Sequence, residues 1–215
     1  MLEIKHRTTG KRLLKVKNAS LTGCKLSGLD LVGADFRGID FSACRFTGCN
    51  LSDSDFTNAK LVGCKMDNCV VKRADLTGTD LRGADLSDNV MELSKFIKCN
   101  AENAKFRHCR INRGIFANSN LKKVDFFFAD LRGSFRSADL EEANLFGADL
   151  TGADFTSANL QKANMTDAKI ARAIFAYAKM QGSIGTNGQP WGFAIKSKQE
   201  KKPWWKVWND ATAQG

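Results

Sequence analysis

The chain has 215 residues, 43% of them hydrophobic, which suits one domain or two small ones of a soluble globular protein. Its net charge of +10 lies mostly at the ends, since residues 1–17 carry +5, residues 181–215 carry +3, and the body between them is nearly neutral. No segment approaches the roughly 20 apolar residues of a membrane-spanning helix, and the start lacks a signal-peptide core, so we expect a cytoplasmic protein with reduced thiols.

The N-terminal segment, 1–17, predicts a short β-hairpin. The segments "LEIKH" and "RLLKV" have strand character, and "RTTGK" between them contains the glycine typical of a turn. We expect this hairpin to cap the first layer of the body, because an uncovered strand edge presents unpaired backbone groups.

The body has a five-residue repeat, as in "GADLTGADFTSANLQKANM" from Gly147 to Met165. A large apolar residue occupies each central position, and a small residue lies two places before it. Residues at i and i−2 of an extended segment share a face, so both point inward. A helix needs a period of 3.6 and a flat strand a period of two, so the chain must bend after every repeat and coil on itself. About 34 repeats in tandem indicate a single array.

Phenylalanine shows how many bends complete one circuit. Seven central phenylalanines share one register. Each is separated from the one before it by a whole number of circuits, with four repeats to a circuit. This spacing requires that the chain lose one residue between Leu131 and Phe135. Four bends per circuit predict a square cross-section with phenylalanines stacked along one side of the core. These residues are Phe36, Phe56, Phe96, Phe116, Phe135, Phe155 and Phe175.

Three segments resemble the consensus A(D/N)LXX of the pentapeptide-repeat family: "ADLTGTDLRGADL" (74–86), "ADLEEANLFGADLTGADF" (138–155) and "SANLQKANM" (157–165). This resemblance implies an all-β fold, a right-handed quadrilateral β-solenoid of about eight coils over residues 18–180. Residues 88–128 depart from the pattern, so we expect a bulge or bend there.

The seven cysteines all occupy the small inward slot, two places before a centre. Cysteine serves there as a small apolar filler, and none has the C-x-x-C spacing of a metal or redox site. Although Cys24, Cys44 and Cys64 stack coil upon coil, their parallel side-chain vectors argue against a disulfide. We assign no catalytic, cofactor-binding or metal-binding residue, and we expect His6 and His108 to be solvated surface histidines.

Outward aromatic residues predict a patch on one face. Phe126 is a centre, so Phe127 and Phe128 should face solvent, and neighbouring coils place other large side chains in the equivalent slots. Exposed apolar patches often mark an interface, and phenylalanine with arginine is typical of interface composition. A partner or dimer contact, coverage by the chain's own tail and the absence of any role remain alternatives. The patch consists of Arg107, His108, Phe127, Phe128 and Phe146.

Residues 181–215 predict a C-terminal cap followed by a basic tail. The glycine-rich "GSIGTNGQPWGFAI" should close the array, and the segment 196–215 combines lysine with tryptophan. Such a composition suits a partner protein, an anionic membrane surface or nucleic-acid bases, while fold-back onto the body or disorder is the simplest alternative. The candidate contact residues are Lys201, Lys202, Trp204, Trp205, Lys206 and Trp208.

Three functional hypotheses follow. The first is a non-enzymatic, rigid scaffold or adaptor for an unidentified protein partner, with a homodimer as one form. The second follows from the resemblance, since some family members bind DNA gyrase by imitating duplex DNA, although a nearly neutral body with basic ends argues against it. The third is a rod tethered to an anionic membrane surface through its tail. Direct binding of nucleic acid is the least favoured of the partner hypotheses.

Overall fold

The computed structural model describes residues 2–16 and 20–192, and within these ranges the fold is all-β with no helix. None of the described residues forms a helix long and apolar enough to cross a membrane. Five strands are long enough to be named: β1 (Leu2–Lys5), β2 (Arg12–Val16), β3 (Lys25–Ser27), β4 (Arg45–Thr47) and β5 (Lys65–Asp67).

The body is held together by a parallel ladder of backbone pairings. Each pairing joins equivalent positions of successive coils. The strands β3, β4 and β5 pair in parallel in that order, with Leu26 beside Phe46 and Phe46 beside Met66. The same step continues as isolated parallel bridges at every fifth residue, for example from Asp55 to Asp75 and from Lys60 to Asp80. Each coil therefore carries four pairing positions, and the chain forms a β-solenoid.

The phenylalanine register is confirmed. Phe96 and Phe116 stack with ring centroids 4.5 Å apart, and the Phe116–Phe135 distance is 4.8 Å. Phe155 continues the stack at 4.9 Å from Phe135, and Phe175 follows at 5.3 Å. The first four of these side chains are at most 1% exposed. Truncating such a buried ring to alanine typically costs about 3–5 kcal/mol, so this stack contributes strongly to stability.

Short polar side chains make the bends. The residue before each centre is often Asp or Asn, whose side-chain oxygen accepts a hydrogen bond from the backbone two residues on. Thr57 N donates to Asp55 Oδ1 at 2.9 Å, and Thr151 N donates to Asp149 Oδ1 at 3.0 Å. Such turns explain why these residues recur. The residue two places after the centre has positive φ, as at Asn58 with 56°.

The N-terminal hairpin lies against the first coil. Strands β1 and β2 pair antiparallel, with Leu2 beside Val16. His6 then bridges Ala34, and Arg7 N donates a hydrogen bond of 2.8 Å to Gly33 O. These contacts occupy backbone groups at the edge of the solenoid.

The loss of one residue from the repeat lies where the phenylalanine register requires it. The backbone of Ile115 pairs with that of Ser134, and their separation in the sequence is one residue shorter than is usual for paired positions. The next pairing in this column, from Ser134 to Asp154, has the usual separation. Two glycines make the shortened bend, because a Cβ at Gly133 would lie 2.3 Å from the carbonyl oxygen of Gly114. The shortened coil therefore has no room for a side chain at this point.

Residues 88–128, where we expect a bulge or bend, keep a continuous ladder, with the full step from Val90 to Arg110 and a step one residue shorter from Ile115 onward. Asn89, in an inward slot, is 1% exposed and shows how the coil accommodates a polar residue. Its Nδ2 donates to Met66 O and Leu86 O at 2.8 and 2.7 Å, and its Oδ1 accepts from Cys69 N at 2.6 Å. Because these hydrogen bonds satisfy the buried amide, the strand stays in register.

The expectation that no disulfide forms is wrong for one pair. Cys24 and Cys44 are bonded, with Cα atoms 4.7 Å apart. That separation between stacked coils lies within the range that a disulfide spans, so parallel side-chain directions did not exclude the bond. Cys24 is half-buried and Cys44 is buried. The other five cysteines are free and buried.

The substitution Gly133→Ala should destabilise the protein by about 1–3 kcal/mol, because the added methyl group must displace the Gly114 backbone. Urea unfolding of both proteins would measure the change. The control is Gly83→Asn, since Gly83 has a φ of 63° with open space around it and asparagine tolerates that conformation. Equal midpoints for Gly133→Ala and the parent protein would contradict the close approach of the two glycines.

Candidate protein-binding surface

The structure places the outward aromatic residues on three consecutive coils. His108 N donates to Phe127 O at 2.9 Å, and Phe128 N donates to Phe146 O at 2.9 Å. Adjacent coils therefore bring together residues that are up to 39 positions apart in the sequence. We call the group the aromatic cluster, and it consists of Arg107, His108, Phe127, Phe128 and Phe146.

The four rings of the aromatic cluster contact one another. Phe127 stacks on Phe146 with centroids 5.6 Å apart and meets Phe128 edge to face at 4.7 Å. Phe128 lies 5.8 Å from Phe146 and 6.1 Å from the parallel ring of His108. These distances suit favourable aromatic pairs, so the rings form one ordered surface.

Phe128 is the most exposed of the three phenylalanine rings, with 51% of its surface accessible, whereas Phe127 and Phe146 are half-buried. The His108 ring is also exposed. Arg107 forms an ion pair with Asp125, and its guanidinium carbon lies 5.9 Å from the centre of the Phe127 ring. The cluster thus exposes an apolar ring, flanked by a cation that is already oriented.

Phe128 rests on a glycine, a feature that the sequence pattern does not reveal. A Cβ at Gly147 would lie 2.7 Å from the Phe128 ring, so the ring occupies the space that a side chain would need. Phe128 itself has a φ of 52°, an unfavourable conformation for a bulky residue, which costs about 1–2 kcal/mol. Other large residues, such as Leu93 with a φ of 63°, occupy equivalent positions, so the coil geometry imposes this conformation.

Carboxylates outside the cluster are largely paired with cations. Arg37 bonds Asp35 at 2.6 Å, and Arg73 bonds Asp53 across adjacent coils. The hydrogen bond from Arg37 holds the pKa of Asp35 below its ordinary value, so that carboxylate is charged at neutral pH and neutralised locally. Nearby cations therefore neutralise most of the carboxylates of the described body.

The cysteines show the chemistry of a packed interior. Cys109 Sγ donates to Leu86 O at 2.9 Å, and burial raises the pKa of the Cys109 thiol to about 12. Burial likewise raises the pKa of Cys64 and Cys99 to about 12. These thiols stay protonated at neutral pH and are poor nucleophiles. Over residues 2–16 and 20–192, no three His, Cys, Asp or Glu side chains are placed to hold a metal ion.

The other candidate residues lie apart from the aromatic cluster. His6 lies in the hairpin, where its Nδ1 accepts a hydrogen bond from Thr9 N at 3.3 Å. The tail candidates fall outside the described residues; they are Lys201, Lys202, Trp204, Trp205, Lys206 and Trp208.

Two family models match the chain. One, described as a pentapeptide repeat region, matches residues 15–92. The other, described as pentapeptide repeats (8 copies), matches residues 74–113, 102–135, 134–170 and 148–184. A search of curated protein sequences found no match.

Several solved structures are similar to the chain. A trypsin-treated form of QnrB1, a plasmid-mediated fluoroquinolone resistance protein, is 18% identical over 79% of this chain and 86% of that one, with a TM-score of 0.56. HetL, a pentapeptide repeat protein involved in heterocyst differentiation regulation in the cyanobacterium Nostoc sp. strain PCC 7120, is 24% identical over 81% and 93%, with a TM-score of 0.29. A pentapeptide repeat protein of the Arabidopsis thaliana thylakoid lumen is 30% identical over 53% and 68%, with a TM-score of 0.20. The first comparison supports the fold alone.

The buried thiols predict a loss of stability in alkali. A thiol whose pKa is raised on folding stabilises the protein fully below its unfolded pKa of about 9, and this contribution is lost as the pH rises through about 12. The double variant Cys64→Ala/Cys109→Ala should therefore lose less stability than the parent between pH 9 and pH 11. Urea midpoints measured across that range test this expectation, and identical pH profiles would contradict it.

Proposed function

The chain belongs to the pentapeptide-repeat family, and from this premise we propose that it is a rigid, non-enzymatic scaffold that binds a protein partner through the aromatic cluster. The observation that carries the proposal is the ordered, partly exposed group of rings centred on Phe128. Exposed aromatic anchors beside arginine are characteristic of the centres of protein interfaces.

A rigid support favours such a role. The backbone amides beneath the rings are bonded from coil to coil, for instance Phe126 N to Asn144 O at 2.8 Å. Phe126 itself is fully buried, so the outward rings start from a fixed core. Because the surface is preformed, less conformational entropy is lost when a partner binds.

Imitation of DNA toward gyrase is a weaker alternative, because it requires an acidic rod. The described carboxylates are extensively paired, as between Arg132 and Asp130 at 2.6 Å and between Arg136 and Asp154 at 2.7 Å. The chain as a whole carries +10. Inhibition of gyrase supercoiling by the purified protein would reverse this preference.

Tethering to a membrane and formation of a homodimer are also open to experiment. The tether would depend on the basic tail, which lies outside the described residues. Sedimentation with vesicles of anionic phospholipid tests the tether, and analytical ultracentrifugation tests the dimer. The tether does not require the aromatic cluster, so it can be separated from the scaffold proposal. A homodimer could form through the tail or through the cluster, and a dimer that persists in Phe128→Ser would not depend on the cluster.

The glycine beneath Phe128 permits a sharp test of the scaffold proposal. Gly147→Asn should displace the Phe128 ring, because the new Cβ would lie 2.7 Å from it. The matched control is Gly152→Asn, since Gly152 has a φ of 69°, against 65° at Gly147, and nothing lies within 4 Å of its Cβ position. Both substitutions place asparagine in the same backbone conformation, so they differ chiefly in their effect on the ring.

The readout is capture of a discrete partner from lysate by the immobilised full-length protein. We expect Gly147→Asn and Phe128→Ser each to capture at least tenfold less of the partner than the parent protein does, because each removes an interface anchor. Gly152→Asn should retain it, and circular dichroism should show the same β-structure in all variants. If Gly147→Asn and Phe128→Ser both captured as much of the partner as the parent protein does, the aromatic cluster would not be the binding surface.

A further inference from the structure

Three cations lie one above another on the outward face of the sheet formed by β3, β4 and β5. Lys25 pairs with Arg45, and Arg45 pairs with Lys65, so the three residues lie directly opposite one another in the parallel register. All three are exposed, whereas the next residue of each strand is buried in the core. We call these three residues the cationic ladder.

The cationic ladder occupies a position that the repeat usually gives to Asp or Asn. In other coils, the side-chain oxygen of that residue accepts a hydrogen bond from the backbone two residues on, as from Ser52 N to Asn50 Oδ1 at 3.2 Å. Lysine and arginine have no acceptor, so the ladder gives up this bond in three successive coils. Like charges directly opposite on paired strands are also destabilising. Two unfavourable effects coincide at the same residues, which is typical of a functional site.

Hydrogen-bond donors lie beside the cations on the same face. Side chains at i and i+2 of a strand share a face, which places the hydroxyl groups of Ser27 and Thr47 beside the ladder. The third such position holds Asp67, which accepts a hydrogen bond of 2.7 Å from Arg45 Nε. Three cations and two hydroxyl groups against one carboxylate suit an anionic ligand.

Glycines border the cationic ladder on both sides. Gly23 and Gly63 lie at the corner before it, and Gly28 and Gly48 lie at the corner after it. A Cβ at any of these four positions would have no other described residue within 4 Å. Together with the exposure of the three cations, these small corners make the ladder accessible from either side.

The cationic ladder and the aromatic cluster share one face of the solenoid. The column of paired positions continues from Lys65 to Asp125 in steps of one coil, and Asp125 forms an ion pair with Arg107 of the aromatic cluster. At about 4.8 Å between coils, the ladder spans about 10 Å and ends about 14 Å before the coil of Phe128. Both fit within a protein interface of standard size, which buries roughly 800 Å² on each partner.

We propose that the cationic ladder binds an acidic segment of the protein partner that contacts the aromatic cluster, an inference that rests on the proposed function. Carboxylate side chains of such a segment complement the charge of the ladder, and an apolar residue farther along the partner contacts Phe128. A nucleic-acid strand is less well matched, because it needs a continuous basic track, whereas Asp85 follows Lys65 directly in the column.

Two double variants of the full-length protein test the role of the ladder. Lys25→Asn/Lys65→Asn restores the usual turn residue in two coils of the ladder. The matched control, Lys60→Asn/Lys95→Asn, makes the same change at the same position of the repeat on other faces, where Lys60 lies between two aspartates of adjacent coils. Both variants lose two positive charges, so their net charges are equal.

The first readout is the affinity for fluorescein-labelled hexaglutamate, measured by fluorescence anisotropy. We expect Lys25→Asn/Lys65→Asn to bind the peptide at least fivefold more weakly than the control variant does. This difference should shrink as the salt concentration rises, because salt screens exposed charges. The urea midpoint of Lys25→Asn/Lys65→Asn should exceed that of the control variant, because only the former relieves repulsion between stacked cations.

Equal affinities of the two variants for hexaglutamate would overturn the proposal. An oligothymidylate of the same charge provides the second arm of the experiment. If it bound the parent protein more tightly than hexaglutamate and lost more affinity in Lys25→Asn/Lys65→Asn, the ligand would be nucleic acid and the assignment to a protein segment would be wrong.

Capture of the partner from lysate separates this proposal from the scaffold proposal. If Phe128→Ser loses the partner and Lys25→Asn/Lys65→Asn retains it, the aromatic cluster binds without the ladder, and only the proposal for the ladder fails. If Lys25→Asn/Lys65→Asn alone loses the partner and also binds hexaglutamate more weakly, the ladder is the binding surface and the aromatic cluster is not.

Discussion

The structure depends on each coil stacking on the next through a continuous parallel ladder of backbone pairings. A five-residue side of the tube contributes one large and one small inward residue, which is too little to form a core alone. Stacking turns these residues into continuous columns, as in the run from Phe116 through Phe135 to Phe155. Stability is thus built from contacts between neighbouring coils, as in other repeat proteins.

This constraint leaves only the outward positions free to vary. Polar and charged residues occupy most of them, and ion pairs such as Lys72 with Glu92 connect adjacent coils. Exposed pairs of this kind contribute little stability each, so their main effect is to keep the surface polar and charge-balanced. The aromatic cluster departs from that background, and it does so on a part of the ladder that remains unbroken.

A stacked ladder must also end, and the two ends differ. At the first coil, the hairpin of β1 and β2 supplies backbone partners to Gly33 and Asp35. At the last coil, the return of the chain from Ile184 to Pro190 covers one side. For the other three sides of the last coil, no backbone partner lies among residues 2–16 and 20–192.

The resemblance to the pentapeptide-repeat family implied the β-solenoid. The five-residue pattern by itself determined that the chain coils on itself, the inward and outward positions, the phenylalanine register and the site of the lost residue between Leu131 and Phe135. These features follow from spacing alone, because a repeated bend places equivalent residues in equivalent environments. Spacing also placed the aromatic cluster on one face. It could not show that Phe128 lies over Gly147 or that Gly133 touches Gly114. It also missed the bond between Cys24 and Cys44. Those contacts depend on the distance between coils and the directions of individual side chains, which only the folded arrangement decides.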